Sequence, residues 1–177
     1  LGCKNFVLSQ DTSISVEKYI KQNGGTVFRS KVGEANVTEK MIETKSQVGG
    51  EGSSGGFILS DFNYCRDGIL TSGLIASIIK KDEFADALNF MEKYHIIRDK
   101  VEYDSEHHDD ILKALHGKMK EKFGSVETLD GIKAIVDEDS WALVRKSNTE
   151  NSIRVSAESN SLEKVRNIHQ EIKDLVK

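Results

Sequence analysis

The sequence predicts an α/β domain with a mainly parallel sheet, followed by a small α+β domain whose antiparallel sheet is covered by helices. Three observations carry this expectation. Short apolar runs alternate with apolar stripes at helical spacing through the first half. Near Tyr94-His95 the order changes to a strand, a long helix, several strands and a final helix. Turn-forming residues, not crossover helices, separate the strands of that second half. A chain of 177 residues has room for two units, placed here at 1–92 and 93–177.

The elements follow in order. Phe6-Val7-Leu8 reads as a strand, and Val16, Tyr19 and Ile20 form a stripe that Gly24-Gly25 ends, as at a helix C-cap. Thr26-Val27-Phe28 is a second strand, Val37, Met41 and Ile42 mark a second helix, and Phe57-Ile58-Leu59 is a third strand. Leu70, Leu74, Ile75, Ile78 and Ile79 make the strongest helical face of this half, followed by a helix carrying Phe84, Leu88 and Met91. Successive strands joined through helices imply parallel pairing. In the second half, Leu112, Leu115 and Met119 share one helical face, and Leu162, Val165, His169, Ile172 and Val176 share another. Asn160, three residues before Glu163, reads as the N-cap of the last helix. Ile132–Val136, Trp141–Val144 and Ile153–Ala157 are strands, with Asp130-Gly131 and Asp137-Glu138-Asp139 as turns.

Composition narrows the function classes. Hydrophobic residues at 37% and charged residues at 31% suit a soluble globular protein, and no apolar run spans a bilayer. A net charge of −4 gives no global basic field for nucleic acid. Two cysteines, Cys3 and Cys65, have no C-x-x-C spacing and suggest neither a disulfide framework nor a zinc site, so a reducing cytoplasm is expected. The opening Leu1-Gly2-Cys3-Lys4 runs straight into a strand, which favours a piece cut from a longer protein.

Two stretches stand out chemically. Gly49-Gly50-Glu51-Gly52-Ser53-Ser54-Gly55-Gly56 holds five glycines. It is either a flexible connector or a loop whose backbone approaches a ligand, with Glu51 accepting and Ser53 exchanging hydrogen bonds with vicinal hydroxyls. No Gly-Lys-Ser/Thr follows, so it is not a P-loop. The second stretch, Arg145-Lys146-Ser147-Asn148-Thr149-Glu150, gathers a guanidinium fork, hydroxyls, an amide and exposed backbone N–H groups. It is either an ordinary polar hairpin turn or a phosphate cradle.

Taken together, these stretches resemble the α-D-phosphohexomutases. Gly50-Glu51-Gly52-Ser53 is similar to the sugar-binding G-E-x-S/N loop of their third domain. Arg145 to Glu150 is similar to the R-x-S-G/N-T-E/T phosphate loop of their fourth. Arg29-Ser30-Lys31-Val32-Gly33-Glu34 and Arg66-Asp67-Gly68-Ile69 resemble two further family segments, and the likeness spans essentially the whole chain. Asn151 stands where relatives carry proline, Ser53-Ser54 doubles a serine, and Gly55-Gly56 replaces the histidine of many bacterial members, which is closer to the archaeal type.

The resemblance implies a magnesium-dependent parent enzyme that moves phosphate between C1 and C6 of a hexose through a hexose bisphosphate. It implies that Glu51 and Ser53 orient the sugar of a phosphorylated hexose, and that Arg145, Ser147, Asn148 and Thr149 hold its phosphate. Lys31 is a further candidate, for charge balance or proton transfer, beside the reading of a solvated surface lysine. The family's nucleophilic serine segment, T-A-S-H-N-P, and its metal segment, D-G-D-x-D-R, are not in the sequence. The expected partners are therefore N-terminal domains of the same chain, with no catalytic residue or metal ligand here. The alternative is a stand-alone phosphate-binding or interaction module. His107-His108-Asp109-Asp110 places adjacent side chains about 100° apart on a helix, a poor metal geometry. The acidic pair instead suits a helix first turn, His169 suits an apolar helix face, and Trp141 suits a core.

Overall fold

The computed structural model describes residues 2–52, 56–91, 93–102, 108–147 and 150–176. The chain divides into two compact units, Leu1–Glu92 and Lys93–Lys177.

The first unit runs β1 (Asn5–Ser9), α1 (Ile14–Gln22), β2 (Thr26–Ser30), α2 (Glu34–Thr44), β3 (Val48–Glu51), β4 (Gly56–Leu59), α3 (Gly68–Ile78) and α4 (Asp82–Met91). Its sheet has the order β2-β1-β3-β4, with β1 parallel to both β2 and β3 and β4 antiparallel to β3. Strand β1 is internal, and Val7 and Leu8 are buried accordingly. At the start of α1, Ser13 Oγ accepts from Ser15 N at 3.1 Å. Its end is a Schellman motif, in which Gly24 N–H bonds Lys21 O at 3.0 Å and Gly25 N–H bonds Ile20 O at 2.9 Å.

The structure corrects two expectations in this unit. The first half of the glycine run is not a loop: Gly49, Gly50 and Glu51 belong to β3, an internal strand between β1 and β4. A Cβ on Gly49 would lie 2.3 Å from Met41 Sδ and 2.9 Å from Val37 Cγ1, so the missing side chain is what lets α2 lie against β3. Strand β4 then returns from β3 as an antiparallel neighbour, not through a crossover helix. The second correction concerns α3, whose apolar residues are not core. Ile69, Ile75, Ile78 and the following Ile79 are exposed, Ile69 at 89%. The apolar residues of α3 are spread around the helix between Thr71, Ser72 and Ser77, so its sequence spacing marked no single buried face.

The second unit runs β5 (His95–Glu102), α5 (His108–Phe123), β6 (Ser125–Glu127), β7 (Ile132–Asp137), β8 (Ser140–Lys146), β9 (Ser152–Ser159) and α6 (Leu162–Val176). The sheet order is β5-β9-β8-β7-β6 and every pairing is antiparallel. One sheet face, with Ile132, Ala134, Ala142, Val144, Ile153, Val155 and Ala157, packs on Leu115 and Met119 of α5 and Val165, Ile168, Ile172 and Val176 of α6. Alternation sends Trp141, Leu143 and Arg145 to the opposite face.

Here too one expectation is corrected. The N-cap of α6 is Ser161, whose Oγ accepts from Lys164 N at 3.3 Å. Asn160 instead donates to Asp139 Oδ2 at 3.0 Å, tying the helix start to the β7–β8 turn. Trp141 and His169 are buried at 1% and 8% exposure. Helix α5 begins at His108, so Asp109 and Asp110 fall in its first turn, while His107 lies outside the described residues. Among the described residues no helix is long and apolar enough to cross a membrane.

Candidate functional site

Because β1, β2 and β3 are parallel, the segments that leave their C-terminal ends share one edge of the sheet, where α/β sheets ordinarily bind ligands. Three chemical groups reach that edge. Glu51 is the last residue of β3, and its side chain is only 2% exposed. Lys31 follows β2 directly and is exposed. Ser9, Gln10, Asp11 and Thr12 leave β1 as a run of buried polar residues.

That run was not singled out in the sequence, although four polar residues straight after an apolar strand were a readable signal. Ser9 Oγ donates to Asp11 Oδ1 at 2.7 Å and accepts from Gly52 N at 3.0 Å. Thr12 Oγ1 donates to Gly50 O at 3.4 Å. The β1–α1 loop is thereby tied to the β3–β4 hairpin. Arg29 clamps the loop from β2, with Nη1 donating to Ser9 O at 2.8 Å and Thr12 O at 3.1 Å and Nε donating to Glu17 at 2.9 Å. Burial pushes the Glu17 carboxyl up, but the Arg29 charge and the Lys21 and Arg29 hydrogen bonds outweigh it and hold the group below the usual range.

The Glu51 carboxylate meets a cation from the far side of β4. Arg66 Nη1 lies 3.3 Å from Glu51 Oε2, while Arg66 Nε donates to Glu34 Oε2 at 2.6 Å. The Glu34 hydrogen bond is the main cause that holds the guanidinium above its usual pKa, against partial desolvation and with help from the Glu34 and Glu51 charges.

In the second unit, Arg145 stands near the end of β8 and Ser147 just beyond it, with Ser147 N donating to Ser152 O at 2.9 Å. The register sets Arg145 opposite Arg154 and Arg154 opposite Lys100, so three cations stand abreast on β8, β9 and β5. Like charges directly opposite are destabilising. Glu150 offsets two of them, its Oε2 lying 3.1 Å from Arg154 Nη2 and 3.4 Å from Lys100 Nζ. Arg145 Nη1 donates to Lys146 O at 3.2 Å. Motif spacing could not show Lys100 and Arg154 beside Arg145, because strand register brought them there.

Glu51 and Lys31 thus share the edge of the first unit, and Arg145 and Ser147 share the end of β8 in the second. Ser53, Ser54, Asn148 and Thr149 lie outside the described residues. Among the described residues no group of three or more His, Cys, Asp or Glu side chains could hold a metal ion.

Residues 2–94 match the family described as phosphoglucomutase/phosphomannomutase, alpha/beta/alpha domain III, and residues 100–175 match phosphoglucomutase/phosphomannomutase, C-terminal domain. A probable phosphoglucosamine mutase of Methanosphaera stadtmanae is 34% identical over 91% of this chain and 38% of its own length. A phosphoglucomutase/phosphomannomutase of Thermococcus kodakarensis is 35% identical over 88% of this chain and 34% of its own length. The solved phosphoglucomutase/phosphomannomutase family protein of Burkholderia thailandensis superposes with a TM-score of 0.78 at 20% identity, covering 99% of this chain and 37% of that one. The Aspergillus fumigatus N-acetylphosphoglucosamine mutase, solved in complex with GlcNAc-6P and magnesium, gives 0.65 at 14% identity, covering 98% and 39%. The chain spans under two-fifths of the length of each of these relatives. A mainly parallel α/β unit, an antiparallel unit after it, and both domain matches in order place this chain in the phosphoglucomutase/phosphomannomutase family of α-D-phosphohexomutases, with its third and C-terminal domains.

Proposed function

We propose that the chain is the substrate-recognition part of a phosphohexomutase that interconverts hexose 1-phosphate and hexose 6-phosphate through a bisphosphorylated intermediate. The observation that carries this reading is the row Arg145, Arg154 and Lys100, three cations abreast with Glu150 opposing two of them. An anion of charge near −2 offsets that repulsion, and a guanidinium fork suits a phosphate. Arg145, Ser147, Asn148 and Thr149 take the phosphate. Glu51 and Ser53 accept and exchange hydrogen bonds with sugar hydroxyls, and Lys31 adds positive charge at the same edge as Glu51.

Several relatives carry the name probable phosphoglucosamine mutase, which makes an amino-sugar phosphate the first substrate to test. The nucleophilic serine, the magnesium and the reacting end of the bisphosphate belong to domains that precede these two in relatives. Magnesium supplies there the charge neutralisation that phosphoryl transfer needs. We place the enzyme in the cytoplasm, in carbohydrate metabolism, a reading supported by only two cysteines, Cys3 and Cys65, with no C-x-x-C spacing.

A coupled mutase assay tests the division of labour. The purified 177-residue chain is expected to give no turnover of glucose 1-phosphate, mannose 1-phosphate or glucosamine 1-phosphate. Turnover that persists through further purification would show that the catalytic groups are in these two domains.

A further inference from the structure

We propose that Arg66 is a positioning residue for sugar recognition, holding the buried Glu51 carboxylate in place as a hydroxyl acceptor while Glu34 anchors the guanidinium. This rests on reading Glu51 as the sugar contact.

Four features of the first unit converge on it. The Glu51 side chain is 2% exposed, and a carboxylate so far from water requires a charged or hydrogen-bonding partner. Arg66 supplies one at 3.3 Å. Arg66 is itself fixed elsewhere. Its Nε donates to Glu34 Oε2 at 2.6 Å, and Glu34 is the first residue of α2. The next residue, Asp67, caps α3 by accepting from Leu70 N at 2.7 Å, which pins the backbone from which Arg66 extends.

The path of the side chain is also built in. Gly56 pairs with Glu51 across β3 and β4. A Cβ on Gly56 would stand 2.0 Å from Arg66 Cδ and 2.6 Å from Cγ. Only glycine at 56 leaves Arg66 this route to Glu51. Lysine would replace Arg66 only in part, because a point-like ammonium lacks the planar fork whose Nε and Nη1 reach Glu34 and Glu51 separately.

The test titrates the ¹⁵N-labelled chain with glucosamine 1-phosphate, and separately with inorganic phosphate, following the Gly50 and Gly52 amides for the sugar contact and the Ser147 and Arg154 amides for the phosphate contact. In Arg66→Gln the glucosamine 1-phosphate affinity read at Gly52 is expected to fall about tenfold or more, one charge-assisted hydrogen bond. Inorganic phosphate at Ser147 should be unchanged. Arg66→Lys should recover part of the loss, and Gly56→Ala, with Arg66 intact, should reproduce most of it. Partial rescue by the cationic Arg66→Lys, with none by the neutral Arg66→Gln, is the readout a merely structural role would not give. If Arg66→Gln does not fold, Arg66→Lys and Gly56→Ala decide. Folded variants that bind glucosamine 1-phosphate as the native chain does would overturn the role of Arg66 and leave the sugar site standing. A native chain with no response at Gly50 and Gly52 would remove the sugar site, and Arg66 with it.

Discussion

Trp141 Nε1 donates to Glu158 Oε2 across the β8–β9 pairing at 2.5 Å, and both side chains are withdrawn from solvent. Lys133 Nζ, from the neighbouring strand β7 and two residues along from the position opposite Trp141, sits 4.6 Å from the centre of the Trp141 ring. A buried indole N–H needs an acceptor, and a buried carboxylate is costly without donors. Trp141→Phe is therefore expected to lower unfolding free energy by about 1.5–3 kcal/mol, from the lost charge-assisted bond alone. Urea denaturation of Trp141→Phe, Glu158→Gln and the double variant checks it. The double loss should fall short of the sum, because the residues share one interaction.

His169 gives the second unit a pH dependence. Burial is the main cause that lowers its pKa, partly opposed by Asp99 and reinforced by Lys173, and its Nε2 has no hydrogen-bond partner among the described residues. The unfolded chain binds this proton near pH 6.5 and the folded chain only below that. Stability from His169 is thus complete above about pH 6.5 and declines as pH falls toward the lower folded value. Asp99, held low chiefly by its hydrogen bond from Lys173, and Glu17 lose their contributions only at more acid pH. Urea midpoints between pH 8 and 5.5 should fall in the native chain and fall less in His169→Leu; parallel curves would remove His169 as the cause.

Lys45 caps α2 with φ of 52°, a left-handed conformation that a side chain adopts at a cost. Lys45→Gly is expected to raise stability by about 0.5–1 kcal/mol, the strain relieved less the added freedom of the unfolded chain. A thermal melt that shifts downward would contradict it.

Burial in the first unit makes a contrasting pair. Met41 is fully buried beneath Gly49, and Met41→Ala should cost about 2–5 kcal/mol. Ile69 is 89% exposed, so Ile69→Lys should stay within about 0.5 kcal/mol and improve solubility. Equal losses in the two variants would mean that α3 is covered in solution.

Much of this fold was legible because periodicity reports burial. Of the stripe Leu162, Val165, His169, Ile172 and Val176 all but the exposed Leu162 are buried, and the apolar runs of β7, β8 and β9 supply the sheet side of the core. Strand β3 was hidden because Gly49 and Gly50 carry no side chain by which to show alternation; their role appears only once Met41 is seen against them. Helix α3 misled for the opposite reason, its apolar residues being spread around the helix. The candidate site was legible where chemistry is local, in Glu51 and in Arg145 to Glu150. It was not legible where register or a distant clamp assembles it, as with Arg154 and Lys100 beside Arg145 and Arg66 behind Glu51.

The central claim is that these two domains recognise a phosphorylated hexose, and an NMR titration of the native chain, Arg145→Ala and Arg145→Lys with glucosamine 1-phosphate tests it most directly. Weak binding is expected, about millimolar or 4 kcal/mol, with shifts at Glu51–Gly52 and at Arg145–Ser147. Arg145→Ala should weaken it at least about tenfold, and Arg145→Lys should restore only part, because an ammonium lacks the fork. Native and Arg145→Ala titrations that coincide, or shifts confined to residues away from both segments, would contradict it.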